Sequence, residues 1–311
     1  MNITETLKIL SPVGWDDYAL LDSGEGQKLE RFGPYKMIRP EAQALWGRHL
    51  DEHVWAEADA VFTADGDDKG RWQLASHLPA SWEMGFEQIR FHAMPTPFRH
   101  LGFFPEQSPH WQWTETQIKA FLVRYGRPPR LLNLFAYSGL ASLHAARAGA
   151  EVTHLDASKK AVSQAFDNRA LSGLEDAPIR FITDDASRFV ERELRRGRQY
   201  DGIMLDPPKY GRGPKGEVWH LAEDLPALLS GCSQLLSETP LCFIVTIYAI
   251  RTSTTAVRSA VGDVMAGHDG ALEAGELVIS EDRPEGRQIG QALYVRWLAS
   301  EFCQASPASS Q

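Results

Sequence analysis

Leu131-Leu-Asn-Leu-Phe-Ala-Tyr-Ser-Gly139, followed by Val152-Thr-His-Leu-Asp156 and then by Ile203-Met-Leu-Asp-Pro-Pro-Lys-Tyr210, is the stretch whose reading decides the fold. The apolar run 131–135 is short enough for a buried parallel strand, Gly139 opens a turn, and the Ala-rich segment Ala141–Ala148 reads as the helix that follows. Asp156 then falls at the tip of a second strand. In open α/β sheets ligands sit at the carboxyl ends of the strands, and an acid at the end of the second strand typically takes a ribose hydroxyl pair.

The pattern continues outward from there. Strands are expected at 131–135, 151–155, 179–183, 201–205 and 241–248, with helices at 140–148, 158–171, 187–197, 222–236 and 254–267. Strict alternation of this kind calls for a mostly parallel sheet with helices on both faces. The runs 271–281 and 291–299, joined by Glu281-Asp-Arg-Pro-Glu-Gly-Arg-Gln-Ile-Gly290, are hairpin-like and predict an antiparallel strand at the sheet end. Thr114-Glu-Thr-Gln117 has the form of a capping box for a helix running to about Tyr125. The expected fold is therefore α/β and Rossmann-like.

A dinucleotide site needs closely spaced glycines so that backbone can approach a pyrophosphate at a helix N-terminus. Ala136-Tyr-Ser-Gly-Leu-Ala141 supplies one glycine, and the strand ends carry Asp156, Asp184, Asp185 and Asp206. Such a cluster repels pyrophosphate and attracts a cation. S-adenosylmethionine, with adenosine, a sulfonium and an amino group but no phosphate, fits it. Acids at strand ends also serve simply to cap the next helix, and for any one of the four that alternative stands.

The 311 residues suffice for one large domain and a smaller one, and 43% hydrophobic with 23% charged residues is ordinary for a soluble globular protein. No apolar run approaches the roughly 20 residues of a membrane span, and Met1-Asn-Ile-Thr-Glu-Thr-Leu7 has neither the basic flank nor the apolar core of a signal peptide. Cys232, Cys242 and Cys303 show no paired spacing, which suits a reducing, cytoplasmic setting and gives no metal motif. The net charge of −9 argues against a generally basic nucleic-acid surface, but it is uneven. Residues 1–110 hold 10 Lys/Arg against 17 Asp/Glu, while residues 111–311 hold 22 against 24. A near-neutral second part can still present a local basic patch.

The chain divides near residue 110: residues 1–110 read as a small, aromatic-rich, mostly β domain, 111–303 as the Rossmann-like domain, and 304–311 as a disordered tail. Trp15, Trp46, Trp55, Trp72 and Trp82, with Trp111 and Trp113 at the boundary, accompany short β-like runs broken by turns such as Asp65-Gly-Asp-Asp68. These tryptophans fill the core of a small β domain, or stack on bases. His49-Leu-Asp-Glu-His53 has the spacing of a helical metal pair but no third ligand, and reads as a solvated helix face.

Asn133-Leu-Phe-Ala-Tyr-Ser-Gly139, Val152-Thr-His-Leu-Asp-Ala-Ser158, Thr183-Asp-Asp-Ala186 and Leu205-Asp-Pro-Pro-Lys-Tyr210 resemble the class I S-adenosylmethionine-dependent methyltransferases. Within that group they are most similar to the bacterial family that includes the large-subunit ribosomal RNA cytosine-5 methyltransferase. The resemblance covers roughly residues 100–300. His100-Leu-Gly-Phe-Phe-Pro-Glu-Gln107 also resembles the segment that precedes the catalytic fold there, without its usual Asp-Gln-Arg. The resemblance implies that Phe135, Ala136, Tyr137, Ser138 and Gly139 line the methionine part, that Asp156 with Ala157 and Ser158 holds the ribose, and that Asp185, with Asp184 and Ala186, receives the adenine amino group. Asn168 and Asp206 complete the implied pocket. It further implies ribosomal RNA as the partner; no metal is implied, and the oligomeric state is open.

Family members that make 5-methylcytosine place a cysteine nucleophile at the end of the fifth strand, where this chain has Tyr248 or Ala249 in Phe243-Ile-Val-Thr-Ile-Tyr-Ala-Ile250. Cys242 begins that strand, and six residues at ~3.3 Å each leave it roughly 20 Å from the ligand-binding end. Asp206-Pro207-Pro208-Lys209-Tyr210 resembles instead the Asp/Asn-Pro-Pro-aromatic loops of amino-group methyltransferases, with Lys209 where the aromatic residue should be and Tyr210 one place later. Prolines donate no N–H and stiffen the chain, so their carbonyls can be aimed at a donor. Positioning alone can then supply ~7 to 11 kcal/mol of the barrier. Lys209, Arg212 and Lys215, among the glycines of Lys209-Tyr-Gly-Arg-Gly-Pro-Lys-Gly216, are candidate phosphate contacts on a mobile lid, or belong to a plain solvated loop. The expected function is S-adenosylmethionine-dependent methylation of an RNA base without a cysteine nucleophile. The alternatives are a protein or small-molecule acceptor, or a non-catalytic binding module of the same fold.

Overall fold

The structure is a computed structural model and describes residues 6–65, 70–248 and 252–303. Ala249, the tail 304–311 and part of the Asp65–Asp68 turn lie outside the described residues. The first elements in chain order are β1 (Lys8–Leu10), β2 (Tyr18–Gly24), β3 (Gln27–Phe32), β4 (Tyr35–Pro40), α1 (Glu52–Ala56), β5 (Ala60–Ala64), β6 (Gly70–Leu74), β7 (Trp82–Phe86) and β8 (Ile89–Ala93). Then come α2 (Ser108–Tyr125), β9 (Arg130–Leu134), α3 (Leu140–Arg147), β10 (Glu151–Asp156), α4 (Lys159–Leu171), β11 (Ile179–Thr183), α5 (Ala186–Arg195) and β12 (Gly202–Leu205). The chain continues through β13 (Tyr210–Arg212), β14 (Val218–His220), α6 (Leu221–Gln234), β15 (Cys242–Tyr248), α7 (Thr254–Met265), β16 (Gly270–Ser280), β17 (Gln288–Ala299) and α8 (Ser300–Cys303).

Contacts divide the chain into two compact units. One comprises Met1–Leu10, His110–Glu276 and Ala292–Gln311, the other Ser11–Pro109 with Leu277–Gln291.

The first unit is built on an eight-stranded sheet in the order β1-β16-β17-β15-β12-β9-β10-β11. β15, β12, β9, β10 and β11 are mutually parallel, and β17 runs antiparallel to β15. The central strands are apolar because they are covered on both faces: β12 is buried throughout, and β15 is buried up to Tyr248. The runs 271–281 and 291–299 are β16 and β17, which extend one end of the sheet with β17 antiparallel to β15, and the short, unexpected β1 lies beyond them. One expectation is corrected. Thr114 does not cap a helix: α2 already begins at Ser108, and Thr114 is buried within it.

In the second unit β2-β3-β4-β5-β6 form one sheet and β7-β8 a separate hairpin. Its tryptophans are core or partly buried and donate inward. The indole of Trp55 bonds to the buried Asp22 carboxylate (3.0 Å), Trp46 to the Ser23 carbonyl (3.0 Å), Trp72 to the Thr96 carbonyl (2.7 Å) and Trp82 to the Phe32 carbonyl (3.1 Å). His49 precedes α1 and His53 lies on it, so the pair does not share one helix. Among the described residues no helix is long and apolar enough to cross a membrane.

Candidate functional site

Strand order reverses at β9. β10 and β11 extend one way from it, and the chain then crosses back to place β12 on its other side. The carboxyl ends of β9 and β12 therefore flank the crevice where an open α/β sheet takes its ligand. The register brings Leu134 level with Leu155 and Leu205, and Asp156 level with Thr183, so the candidate segments 135–139, 156–158, 183–186 and 206–208 emerge on one edge.

Backbone bonds tie these emerging segments together. The Ala136 amide donates to the Leu155 carbonyl (3.0 Å), the Asp184 amide to the Asp156 carbonyl (3.2 Å) and the Asp206 amide to the Leu134 carbonyl (3.4 Å). The loop after β9 is sharply turned: Phe135 (φ 57°), Tyr137 (φ 46°) and Gly139 (φ 90°) all sit in the left-handed region. A Cβ on Gly139 would come within 2.7 Å of the Ala165 Cβ, so this position is closed to side chains on steric as well as conformational grounds. The two non-glycine residues are strained, and the surroundings hold them there. The Asp156 Oδ2 accepts from the Tyr137 amide (2.9 Å), and the buried Asn168 donates to the Ser138 carbonyl (2.9 Å). Asn168 thus lies beneath the loop and braces it. Deeper still, the Asn133 amide donates to Ser142 (2.9 Å), which is 3.0 Å from the His154 imidazole.

The four acids differ in their engagements. Asp156 accepts from Tyr137 and, through Oδ1, from the Ser158 amide (2.8 Å). Burial raises its pKa, and these two amides only partly offset that. The Tyr137 phenol is pushed up to about 12 by burial and by the Asp156 charge. Asp184 is paired with Arg192 at 2.6 Å. Asp185 caps α5 by accepting from the Arg188 amide (3.0 Å), and Ser158 caps α4 through the Ala161 amide (3.2 Å). The capping alternative is therefore real at Asp185, where it uses one carboxylate oxygen. Asp206 is half-buried at the end of β12.

Residues 209–216 are not an unstructured loop. β13 and β14 pair antiparallel, with Tyr210 opposite His220, Gly211 opposite Trp219 and Arg212 opposite Val218. Strand alternation turns Gly211 and Trp219 to one face and Tyr210, Arg212, Val218 and His220 to the other, exposed one. Tyr210 is 49% exposed there, 3.2 Å from the Arg212 Nε, so it does not point to the face that meets the proline loop. Trp219 is buried, donates to the Pro208 carbonyl (2.7 Å) and packs on Phe135 with ring centroids 5.1 Å apart. Arg188 reaches Glu217 (2.5 Å), which also accepts from the Lys215 amide (2.8 Å). Trp219, Arg188 and Glu217 were not singled out from sequence. The available signal was the symmetry of Tyr-Gly-Arg and Val-Trp-His around a Gly213–Gly216 turn.

At the other end of β15, Cys242 stands level with Gly202 and is fully buried, and burial pushes its thiol up to about 12. Cys232 is likewise buried with a raised pKa, and Cys303 is exposed on α8.

A doubly wound sheet with a sharply turned first loop, an acid closing the second strand and no glycine-rich phosphate cradle defines a Rossmann-like enzyme domain for a nucleoside bearing positive charge. The comparisons narrow this. The family described as "Conserved hypothetical protein 95" matches residues 115–225. A solved structure of a SAM-dependent methyltransferase from Agrobacterium tumefaciens is 45% identical, covers 94% of each chain and superposes with a TM-score of 0.90. The chain belongs to the S-adenosylmethionine-dependent methyltransferases, and S-adenosylmethionine is its cofactor. Two further relatives match in part. Ribosomal RNA large subunit methyltransferase K/L of Shewanella baltica is 39% identical over 35% of this chain and 15% of its own length. Ribosomal RNA large subunit methyltransferase I of Aeromonas salmonicida is 28% identical over 56% of this chain and 44% of its own.

The residues present suit this cofactor. The half-buried Asp156 carboxylate spends one lone pair per oxygen on backbone amides and keeps acceptor capacity for a hydroxyl pair. The crevice gathers carboxylates, as a cationic ligand requires.

Proposed function

We propose that the chain transfers a methyl group to an exocyclic amino nitrogen of a base in large-subunit ribosomal RNA, without a cysteine nucleophile. The observation that carries this is the placement of Asp206-Pro207-Pro208 at the carboxyl end of β12, beside the crevice, while Cys242 lies buried at the opposite end of the neighbouring strand. The part-length relatives named for ribosomal RNA support the acceptor class.

In this reading Phe135–Gly139, Asp156, Ala157, Ser158 and Asp184–Ala186 hold the cofactor, and Asn168 acts by fixing the Ser138 carbonyl. When bound, the cofactor supplies an electrophilic methyl on a sulfonium leaving group. The chain's own task is alignment. The Asp206 carboxylate and the Pro207 carbonyl accept hydrogen bonds from the target amine, orienting its lone pair, and Asp206 stabilises positive charge as it develops on nitrogen. Lys209, Arg212 and Lys215 lie on or beside the exposed hairpin and meet phosphates, with Tyr210 on that same exposed face. The unit built on the eight-stranded sheet carries the chemistry; the expected division into 1–110 and 111–303 is modified by Leu277–Gln291, which joins the N-terminal unit, and by the first ten residues, which join the catalytic one.

The test is nucleoside mass spectrometry of large-subunit ribosomal RNA from a deletion strain, followed by restoration of the missing methyl group with purified protein. Loss of an N-methylated base fulfils the proposal. Loss of 5-methylcytosine, or a covalent adduct on 5-fluorocytosine RNA, overturns the amino acceptor. An unchanged RNA together with methylation of a protein or small molecule overturns the acceptor class.

A further inference from the structure

The side chain of Trp219 touches two segments that the sequence keeps apart, and its backbone pairs with a third position. Its ring packs on Phe135 at the tip of β9 (5.1 Å, 54° between planes), its Nε1 donates to the Pro208 carbonyl (2.7 Å), and its strand position pairs it with Gly211. Gly211 in turn lies against the proline loop, since a Cβ there would stand 3.6 Å from the Pro208 Cγ and 3.8 Å from the Trp219 Cβ. Phe135 is one of the strained residues that begin the cofactor loop. Phe135, the buried indole and the proline loop thus form one continuous chain of contacts.

Hydrogen bonding around the loop gives this contact a second consequence. The Pro208 carbonyl is taken by Trp219 and the Lys209 carbonyl by the Leu221 amide (3.1 Å), while the Asp206 amide donates to Leu134. With the next two carbonyls engaged, Asp206 and Pro207 are the pair that the amino-group reading assigns to an acceptor amine.

We propose that Trp219 is a positioning residue that couples the cofactor loop 135–139 to the acceptor loop 206–208 and its hairpin, so that S-adenosylmethionine binding orders the acceptor side before substrate arrives. The acceptor part of this statement rests on the amino-group reading above, whereas the coupling needs only the cofactor.

Hydrogen exchange of the full chain, with and without saturating S-adenosylmethionine, tests it. In the wild type, amides of residues 205–220 should exchange about tenfold more slowly with cofactor, although the loop proposed to bind it lies at 135–139. Trp219→Phe keeps an aromatic ring against Phe135 but deletes the donor to Pro208. It should keep cofactor affinity by calorimetry within about threefold, a loss on the scale of part of one neutral hydrogen bond, while the slowing in 205–220 falls below about twofold. Arg188→Ala is the control: it frees the hairpin from α5 by breaking the Glu217 pair, leaves Trp219 in place and should retain the coupling. A wild type without cofactor-linked slowing, a folded Trp219→Phe with full slowing, or an Arg188→Ala that loses it equally would overturn the proposal. If Trp219→Phe does not fold, Trp219→Tyr, which also lacks the indole N–H that bonds Pro208, carries the same arm with the same outcomes. Failure of the wild type to methylate RNA would remove the amino-acceptor reading and leave the exchange result standing.

Discussion

Replacing Asp156 by alanine separates its proposed role as a direct cofactor ligand from its support of the loop 135–139. The carboxylate holds the Tyr137 amide at 2.9 Å and the Ser158 amide at 2.8 Å, and a ribose hydroxyl pair would bond to the same oxygens. Each bond to a charged acceptor contributes about 1.5–3 kcal/mol. Losing the ribose bonds alone should weaken S-adenosylmethionine binding by one to two orders of magnitude, about tenfold per 1.4 kcal/mol. The loop should survive, because Ala136 still donates to Leu155 and Asn168 still holds Ser138. Asn168→Ala supplies the comparison: it removes one neutral bond to the loop, worth about 1 kcal/mol, and should cost roughly fivefold through loop disorder alone. Titration calorimetry with S-adenosylmethionine and S-adenosylhomocysteine measures both. Burial raises the Asp156 pKa, only partly offset by the Ser158 and Tyr137 amides. Binding that needs the ionised carboxylate should therefore begin to weaken, as pH falls, above the usual carboxylate range, and Asp156→Asn should remove that dependence. A folded Asp156→Ala with unchanged affinity, or an Asn168→Ala that loses as much, refutes the assignment of Asp156 as a direct ligand.

Conversion of Cys232, Cys242 and Cys303 to alanine should leave the methyl-transfer rate largely intact in a radiolabel assay, because neither buried thiol ionises readily and Cys242 starts its strand. Asp201 is buried and accepts from Arg127 (2.8 and 2.9 Å), the Arg130 amide (2.7 Å) and Ser237 (2.7 Å). Burial opposes its ionisation, but these partners outweigh it and hold the carboxyl below its ordinary range. Asp201→Asn should cost about 2–4 kcal/mol in denaturant unfolding at pH 7, discounted for the partly exposed Arg127. Since the folded pKa is depressed, that contribution is present above the unfolded value near ~3.9 and is lost as pH falls through the folded one, so wild type and variant should converge in acid. Arg212→Ala with Lys215→Ala should flatten the salt dependence of RNA binding by roughly 0.7–0.9 in slope for each phosphate no longer neutralised, with cofactor affinity unchanged. A slope equal to wild type would take the hairpin off the RNA surface.

The parallel strands were legible because burial on both faces leaves nothing but apolar residues in runs such as 202–205 and little else in 242–247, and the acids that end several of them mark the edge where ligands bind. Legibility failed where long-range packing overrode local signals. Thr114-Glu-Thr-Gln117 has the chemistry of a helix start, but Thr114 is buried inside α2 and the helix begins six residues earlier. Lys209–Gly216 has too few apolar residues to order itself, yet it is strand and turn because Trp219 reaches back to Pro208 and Arg188 reaches Glu217. The short β1 joins the far edge of a sheet whose other strands begin after residue 129. No local pattern encodes such partners.

At the acids, the two readings open to the sequence, helix cap or ligand, prove compatible. Asp185 caps α5 through one oxygen, and an ionised carboxylate offers about four acceptor sites, so capping orients the group without exhausting it. Asp184 is different, because Arg192 compensates its charge directly. Asp156 is held by backbone amides, which fix its position and leave its charge in place. Of the two, Asp156 is thus the acid whose engagements leave it suited to the proposed hydroxyl ligand, whereas Asp184 is engaged by a cation of the chain's own.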